Sequence, residues 1–569
     1  MNKIKKLRKL FQSFMIDGYL VPKNDEYFNE YVSQSNDRLK FISNFSGSAG
    51  FAIILKDKSY LFVDGRYTTQ ARIQSAKDFK IFTIPQKFPK EVLRTKKKLK
   101  IGFDPKLHNE NQLNFLFNIK NIVLKPISKN LIDSIWSARP KDLAKPFFSL
   151  SKKEAGQDTQ TKINKVRNFL LKNKAEYLFV TAPENVAWIL NIRGYDSEFS
   201  PIPNARLLIN SKGNIDFFSQ SRKFIKIKKN FSKKIKFHHD NKIERKLRKL
   251  CKNNIWLDSL SCSIYYKILL AKNNRIIQKI DPIYFLKSIK NPTEIKNMKK
   301  SHMIDGIALT KFLFWLKKNF RKKKITEISA QEKLENFRKM NKSYRFPSFN
   351  TISGSGPNSA IIHYRASTQS NRTLKKGDLY LVDSGGQYSF GTTDVTRTIS
   401  LDNNSKFIRE IYTRVLKGHI AVSNYKITKS SIGSDIDQGA RKSLKKIGLD
   451  YPHGTGHGVG YFLNVHEGPQ SISKKNKVNL KAGMIVSNEP GYYKEGYFGI
   501  RIENLIYIKK NKFEELTMAP MEKDLIKKKM LNKKEIAWLN NYHVKVKNNL
   551  FKFMNFEDKA NLIKACSPI

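Results

Sequence analysis

The first half of the chain contains the same order of elements twice, and this repetition limits the possible folds more than any other feature. In the first copy, apolar residues recur at helical spacing from Ile4 to Phe14 and lead into the apolar run 19–22. The order of helix, strand, polar loop and helix ending at a glycine returns over residues 166–194. Strand-like segments follow both copies, and the period is too long for a solenoid. We therefore predict two related α/β domains.

The domain boundaries follow from this repeat and from the length of the chain. A chain of 569 residues has room for about three or four domains. The two copies place the first domain at residues 1–148 and the second at 149–288. The segment SLSKKEAGQDTQT between them is polar and without pattern, which predicts a linker.

A different kind of domain is predicted after the repeat. Residues 291–294 carry a helix-start signal, and a long amphipathic helix follows through Trp315. Short strand-like segments separated by glycines then occupy residues 348–508, a pattern typical of a curved antiparallel sheet flanked by helices. We place this domain at 289–514 and expect the Lys-rich, helical residues 515–569 to pack against it.

Carboxylates inside apolar strands are the first candidates for a functional site. Asp383 ends the buried-looking strand 379–383, and Asp394 begins a second strand after a glycine-rich turn. A hairpin would bring the two side chains together, where they repel each other unless a proton or a cation lies between them. A role in the turn alone is the alternative for Asp383.

Histidines gather in one short segment downstream. HGTGHGVGYFLNVH contains His453, His457 and His466, although the whole chain has only 10 histidines. Core packing would not produce this concentration, although any one of the three could be a structural residue. The glycines between them allow the backbone to fold tightly around a ligand.

Two glutamates complete the set of candidates. Glu489 follows an apolar strand, and Glu503 is expected in the middle of another strand, on the face that carries Arg501. An ion pair of Glu503 with Arg501 or a lysine is the alternative. Four carboxylates and one imidazole suit two hard divalent ions, with Mn²⁺ as the natural candidate, better than a single zinc site. The predicted ligands are Asp383, Asp394, His457, Glu489 and Glu503.

At these motifs the chain resembles the three-domain aminopeptidase P (Xaa-Pro aminopeptidase) family of the creatinase/prolidase-like, or pita-bread, superfamily. The motifs that carry the resemblance occur in order along almost the whole chain, and they are LRKLFQSFMIDGYLVP, FISNFSGSAG, DGRY, AWILNIRG, SFNTISGSGPNSAIIHY, VDSGGQY, GTTDVTRT, HGTGHGVGYFLNVHEGP, NEPGYY, FGIRIENL and WLNNYH. The resemblance implies two creatinase N-terminal-like α/β domains, a pita-bread catalytic domain with a curved antiparallel sheet, and a C-terminal extension. It also implies that no presequence precedes the first domain.

The resemblance implies roles for the five predicted ligands. Asp383 and Glu503 would bridge two metal ions, Asp394 would bind one of them, and His457 and Glu489 would complete the cluster. It also implies that His457 contributes to substrate binding.

Further residues acquire roles from the resemblance alone. Glu489 would be the catalytic base, His363 or His466 would stabilise the tetrahedral oxyanion, and His453 would assist proton delivery to the proline nitrogen. His363 and His466 would also bind substrate. Arg66, in the first domain, would help to hold the peptide.

The function implied is hydrolysis of the N-terminal Xaa-Pro bond of peptides by a hydroxide held between two metal ions. The expected substrates are peptides with proline at position two, and the expected assembly is a homodimer. A prolidase restricted to Xaa-Pro dipeptides is the close alternative, although it resembles a two-domain version of this chain. A non-catalytic binding protein and a metal-free, creatinase-like hydrolase are less consistent with a complete set of ligands.

Charge and cysteine content bear on partners and location. Lys and Arg total 108 against 48 Asp and Glu, a formal net charge of +60, which raises nucleic acid or an anionic membrane as partners. The basic residues are dispersed over every domain without a nucleic-acid-binding motif, so we expect neither partner. The three cysteines lack disulfide or metal spacing, and no run is long and apolar enough to span a membrane. We therefore expect a cytoplasmic location.

Overall fold

The computed structural model describes residues 3–93, 97–141 and 144–569. Helices and strands occur throughout these three stretches. Among the residues described, no helix combines the length and the apolar character that crossing a membrane requires.

The chain divides into two compact units. Residues through 151 and residues 157–283 form the first unit, and residues 152–156 and 284–569 form the second. The boundaries predicted after residues 148, 288 and 514 stay predictions.

The first part of the first unit contains a six-stranded mixed sheet in the order β4-β3-β2-β1-β5-β6. The central pairs β1/β2 and β2/β3 are antiparallel, and the outer pairs β3/β4, β1/β5 and β5/β6 are parallel. The elements are α1 (Lys3–Lys9), β1 (Gly18–Pro22), α2 (Arg38–Ser43), β2 (Phe51–Leu55), β3 (Ser59–Asp64), α3 (Thr68–Ser75), β4 (Lys80–Ile84), α4 (Pro89–Val92), β5 (Leu99–Phe103), α5 (Glu110–Phe117), β6 (Ile122–Pro126) and α6 (Leu131–Ile135).

The second part repeats this topology in a sheet of order β12-β11-β10-β8-β13-β14. Its central pairs β8/β10 and β10/β11 are again antiparallel, and its outer pairs are again parallel. The predicted duplication is therefore confirmed. The elements over residues 148–288, of which α7 and most of α13 belong to the second unit, are β7 (Phe148–Ser149), α7 (Lys152–Ala155), α8 (Thr159–Lys172), β8 (Tyr177–Val180), α9 (Pro183–Leu190), β9 (Ile192–Arg193), β10 (Arg206–Asn210), β11 (Ile215–Ser219), α10 (Ser221–Phe224), β12 (Ile235–His239), α11 (Ile243–Arg248), β13 (Asn254–Leu257), α12 (Ile264–Ala271), β14 (Arg275–Gln278) and α13 (Pro282–Ser288).

Two local predictions for residues 1–161 were wrong. The helix expected to reach Phe14 ends at Lys9, because turns with hydrogen bonds over three residues replace it and still bury Phe11. The segment predicted to be a linker contains α7 and the start of α8. Asp158 caps α8 by accepting a hydrogen bond from the Thr161 N–H at 2.8 Å, so its polar side chain starts a helix rather than a loop.

The second unit consists of antiparallel strands flanked by helices, as predicted. Its main sheets have the orders β16-β17-β20 and β22-β21-β23-β26-β27, and β15-β18-β19 and β24-β25 form smaller ones. The elements are α14 (Pro292–Asn319), α15 (Glu327–Lys339), β15 (Tyr344–Pro347), β16 (Ile352–Ser355), β17 (Leu379–Ser384), β18 (Gly386–Tyr388), β19 (Gly391–Thr392), β20 (Val395–Ser400), α16 (Lys406–Ser423), α17 (Gly433–Lys445), β21 (Gly456–Gly458), β22 (Glu467–Ile472), β23 (Ile485–Asn488), β24 (Gly491–Lys494), β25 (Phe498–Arg501), β26 (Asn504–Lys509), β27 (Lys512–Glu515), α18 (Lys533–Leu550) and α19 (Phe556–Ala565).

The long helix α14 begins where the sequence predicts. The Asn291 side chain accepts hydrogen bonds from the backbone of Thr293 and Glu294, and the Glu294 side chain accepts one from the Asn291 N–H. This capping box fixes the helix start. The helix continues to Asn319, beyond the predicted end at Trp315.

Helix α18 packs against α16 and extends the core of the second unit. Ile411 and Leu416 of α16 share an apolar cluster with Leu539, Val546 and Leu550 of α18, and all five are nearly inaccessible to solvent. Burying each such side chain contributes about 1.5–3 kcal/mol. The C-terminal helices therefore stabilise the sheets that carry the candidate site.

Candidate metal centre

Two aspartates project from neighbouring strands. In the antiparallel pair β17/β20, Asp383 lies opposite Thr396. Asp394 precedes Thr396 by two residues, so its side chain leaves the same face of the sheet as Asp383. Both carboxylates are buried. Strand alternation thus places two acidic groups on one buried face.

Glu503 lies in a break between two strands. Strand β25 ends at Arg501 and β26 begins at Asn504, so the prediction that Glu503 lies in mid-strand was wrong. The chain changes pairing partner here, because β25 pairs with β24 and β26 pairs with β23. Glu503 Oε2 accepts a hydrogen bond from the Thr396 hydroxyl at 2.7 Å. This hydrogen bond holds the Glu503 carboxylate at the face of the sheet that carries Asp383 and Asp394.

His457, on the short strand β21, lies close to the carboxylates of both Asp394 and Glu489. Its Nε2 lies 3.4 Å from Asp394 Oδ2 and 3.6 Å from Glu489 Oε1. Its Nδ1 lies 2.9 Å from the Gly458 carbonyl oxygen, which fixes the ring. Although burial alone would lower the pKa of His457, the hydrogen bond to Asp394 and the charge of Glu489 raise it to about 9.

Glu489 follows β23, and its Oε1 accepts a hydrogen bond from the Ser487 hydroxyl at 3.1 Å.

Arg501 pairs with Asp383 rather than with Glu503. Its Nη2 lies 2.7 Å from Asp383 Oδ2, and its Nη1 donates a hydrogen bond to the Tyr493 hydroxyl at 2.6 Å. The ion pair considered as an alternative explanation for Glu503 is therefore made by a different carboxylate. Asp383 Oδ1, in contrast, is buried without a hydrogen-bond partner among the described residues.

The crowded carboxylates require positive charge. Burial raises the pKa of Asp383, and the charges of Asp394 and Glu489 oppose the lowering effect of Arg501. Burial and the charges of Asp394 and Asp383 raise the pKa of Glu503 well above its usual value. Ligand atoms of Asp394, His457 and Glu503 all lie within 4.8 Å of one another. Oxygen ligands and one imidazole at this spacing, with an unpartnered Asp383 oxygen beside them, fit divalent cations.

Two further predicted histidines lie beside this cluster. The ring of His466 meets that of His457 edge-on, with centroids 4.4 Å apart. His453 Nε2 lies 2.9 Å from the Tyr493 hydroxyl oxygen, and burial lowers the pKa of His453 to about 4. His453 is therefore neutral at pH 7, next to the tyrosine that Arg501 contacts.

His363 and Arg66 lie elsewhere in the chain. His363 is half-buried and follows the 3₁₀ turn Gly356–Ala360 of the second unit. Arg66 belongs to the first unit, where its Nη2 lies 2.6 Å from Asp64 Oδ2. Their roles toward a substrate stay predictions.

The sequence interpretation gave no role to Tyr493 or Thr396. The ion pair of Arg501 with Glu503, held open there as an alternative, is made with Asp383 instead. In the hairpin β24/β25, Gly491 pairs with Arg501, so Tyr493 lies two residues further along on the same face. The signal was present in NEPGYYKEGYFGIRIE, in which alternation around a central glycine aligns Tyr493 with Arg501. Thr396 gave no comparable signal, because threonine is common in strands.

The chain matches four family models. Residues 296–510 match metallopeptidase family M24, and residues 510–569 match the C-terminal region of that peptidase family. The creatinase/prolidase N-terminal domain matches twice, at residues 3–132 and 138–294. The two N-terminal matches correspond to the two sheets of repeated topology.

Curated relatives match over nearly the full length. A probable Xaa-Pro aminopeptidase P of Laccaria bicolor is 37% identical over 603 residues, which cover 100% of this chain and 93% of the relative. Xaa-Pro aminopeptidase 1 of Dictyostelium discoideum is 36% identical over 580 residues, covering 96% of this chain and 92% of the relative.

Solved structures show the same resemblance. The X-prolyl aminopeptidase of Caenorhabditis elegans, described as a cytosolic enzyme with a di-nuclear active site, superposes with a TM-score of 0.93 at 30% identity and covers 100% of this chain and 99% of its own. The prolidase of Pyrococcus horikoshii superposes with a TM-score of 0.54 at 27% identity and covers 64% of this chain and 99% of its own.

Proposed function

Because this chain belongs to the Xaa-Pro aminopeptidase P family of M24 metallopeptidases, we propose that it removes the first residue from peptides with proline at position two, using two divalent metal ions. The observation that carries this proposal is the cluster of four carboxylates with His457, in which Asp383, Asp394 and Glu503 are buried and Glu489 is partly buried. Burying carboxylates this close together costs free energy unless a positive charge lies between them. Metal-dependent amide hydrolysis requires such a cluster of ligands to hold the metal ions.

The cluster supplies the ligands for the two ions. We propose that Asp383 and Glu503 would hold both ions, that Asp394 would hold one of them, and that His457 and Glu489 would complete the set. The ligands are mostly oxygens, which favours Mn²⁺. Structural zinc sites typically contain thiolates, and this site has none. When bound, the two ions lower the pKa of a water molecule and polarise the carbonyl that it attacks.

Glu489 is the proposed base. Burial alone would raise its pKa, but the charge of His457 lowers it, so the carboxylate is ionised at neutral pH. An ionised carboxylate can accept the proton that the attacking water loses. The Ser487 hydroxyl orients the carboxylate through its 3.1 Å hydrogen bond to Oε1.

The histidines have separate proposed roles. His363 or His466 donates a hydrogen bond to the oxyanion that forms at the scissile carbonyl, and both contribute to substrate binding together with His457. Neutral His453, hydrogen-bonded to Tyr493, assists the transfer of a proton to the departing proline nitrogen. Arg66 is the proposed contact of the first unit with the peptide.

The repeated N-terminal domain supports an aminopeptidase over a prolidase. The C. elegans aminopeptidase covers 100% of this chain, whereas the P. horikoshii prolidase covers 64%. Both creatinase-like copies are present here, at residues 3–132 and 138–294. A substrate longer than a dipeptide is consistent with this architecture.

Peptide specificity tests the proposed function. With Mn²⁺ added, we expect the protein to release arginine from Arg-Pro-Pro with a kcat/KM at least about 100-fold above that for Arg-Ala-Pro, because the site selects proline at position two. The dipeptide Gly-Pro should be a poorer substrate than the tripeptide Arg-Pro-Pro. Rapid cleavage of Gly-Pro without release of arginine from Arg-Pro-Pro would instead identify a prolidase.

We also propose a homodimer in the cytoplasm. The C. elegans relative, described as cytosolic, supports the location. The three cysteines are free, which agrees with a reducing compartment. That nucleic acid is not a partner, despite the net charge of +60, stays a prediction.

A further inference from the structure

Glu327 is a fully buried carboxylate at the first residue of α15. Burial of such a group is costly unless donors surround it. Its Oε1 accepts hydrogen bonds from the Ser355 N–H at 2.7 Å and from the Asn358 amide at 3.1 Å. Its Oε2 accepts from the Tyr364 hydroxyl at 2.7 Å and from the Arg372 N–H at 2.9 Å. Each oxygen of the Glu327 carboxylate thus accepts hydrogen bonds from at least two uncharged donors.

These donors all belong to one segment, residues 355–372. Ser355 begins the segment, Arg372 ends it, and His363 lies near its middle. The backbone of Glu327 adds a second attachment at the far end, because its N–H donates to the Arg372 carbonyl oxygen at 3.0 Å. An irregular segment of this length is uncommon in a compact domain, and ordering it costs about 1–2 kcal/mol per residue in backbone entropy. One carboxylate therefore ties together both ends and the middle of the segment that carries His363.

Tyr364 transmits this restraint to the neighbouring residue, His363. Its hydroxyl donates to Glu327, and its ring is buried against Ile352 and Leu381. Leu381 lies two residues before Asp383 in β17. The backbone beside His363 is thus fixed to the strand that supplies a predicted metal ligand.

We propose that Glu327 is a positioning residue that fixes His363 relative to the metal cluster by holding the segment 355–372. The inference rests on the proposed function, in which His363 contacts the substrate. A displacement of about 1 Å at a group that contacts the reacting atoms can lower the rate by about 100-fold. Glutamine at this position keeps the side-chain length and one acceptor oxygen. Its NH₂ group, in place of Oε2, would face the Arg372 N–H and the Asn358 amide, which are themselves donors.

A double-mutant cycle tests this coupling. Glu327→Gln should lower kcat for Arg-Pro-Pro by about 10- to 100-fold, with KM changed by less than about 3-fold and metal content unchanged. In a His363→Ala background, where the positioned group is gone, the same substitution should lower kcat by less than about 2-fold. An equal fall in both backgrounds would overturn the inference.

Two further variants keep the test decisive. Glu332→Gln, an exposed position on the same helix, is the matched control and should leave kcat unchanged. If Glu327→Gln fails to fold, Tyr364→Phe removes one hydroxyl, which contacts Glu327, Asn358 and Ser370, and leaves the carboxylate in place. It should show the same dependence on His363 with a smaller effect. If the unsubstituted protein releases arginine but the effect of Glu327→Gln does not depend on His363, only the role of Glu327 is contradicted. A parent that releases no arginine would contradict the proposed function and, with it, the role of His363.

Discussion

Glu503→Gln will lower kcat/KM for Arg-Pro-Pro by at least about 1,000-fold, because losing this proposed metal ligand removes several kcal/mol of metal-dependent stabilisation of the transition state. Bound metal should fall below two ions per chain by elemental analysis. The Thr396 hydroxyl can still donate to the glutamine carbonyl oxygen, so the local fold should survive. The loss would then report on metal binding rather than on unfolding.

The same substitution should stabilise the metal-free protein. Burial and neighbouring negative charges raise the pKa of Glu503, so neutralising this side chain removes repulsion and should raise the free energy of unfolding by about 1–2 kcal/mol. The exposed Glu495 supplies the matched control, since Glu495→Gln should change neither activity nor stability. Full activity and full metal content in Glu503→Gln would exclude Glu503 as a ligand.

Arg397→Gln will destabilise the second unit by about 3 kcal/mol or more, because several buried carbonyl groups lose their donor. The guanidinium is 1% exposed, and it donates to the carbonyl oxygens of Glu503 at 2.6 Å, Ala519 at 2.8 Å and Pro520 at 3.0 Å. It also donates to the Tyr542 hydroxyl of α18 at 3.0 Å. One side chain thus joins the C-terminal helices to the backbone of a predicted metal ligand. A fall of several degrees in the thermal midpoint and weaker metal binding should accompany the substitution.

Two milder variants calibrate this prediction. Tyr542→Phe removes only the hydroxyl, which accepts from Arg397 and donates to the Ala519 carbonyl oxygen, and it should cost about 1 kcal/mol. Arg321→Gln breaks the ion pair between the exposed Arg321 side chain and Asp402 and should cost less than about 1 kcal/mol. If Arg397→Gln destabilised the protein no more than Arg321→Gln, the buried network would have no structural importance.

Much of the fold and the candidate cluster could be predicted from the sequence. The duplication was visible because each copy repeats helix, strand and loop in one order, and the two sheets share one topology. Asp383, Asp394 and Glu489 attracted attention because they lie at the ends of apolar strands in a chain with few acidic residues. His457 was predicted because three of the 10 histidines lie in one glycine-rich segment. These signals are local, so a single sequence reveals them.

The remaining features depend on contacts between distant segments. The run GIRIENLIYI alternates without interruption and therefore resembles one strand, although the chain changes partner at Glu503. The ion pair of Arg501 with Asp383 joins residues 118 positions apart, and alternation within one strand cannot identify such a partner. Glu327 resembles an ordinary first-turn glutamate, because its donors come from a later segment. Register and long-range pairing decide these features.

A metal titration of the metal-free protein tests the central claim most directly. Mn²⁺ would be added stepwise while the release of arginine from Arg-Pro-Pro is followed. The account predicts no release in chelator and an activity that rises until two ions are bound per chain. Arginine release that persists in excess chelator, or saturation at a single bound ion, would contradict it.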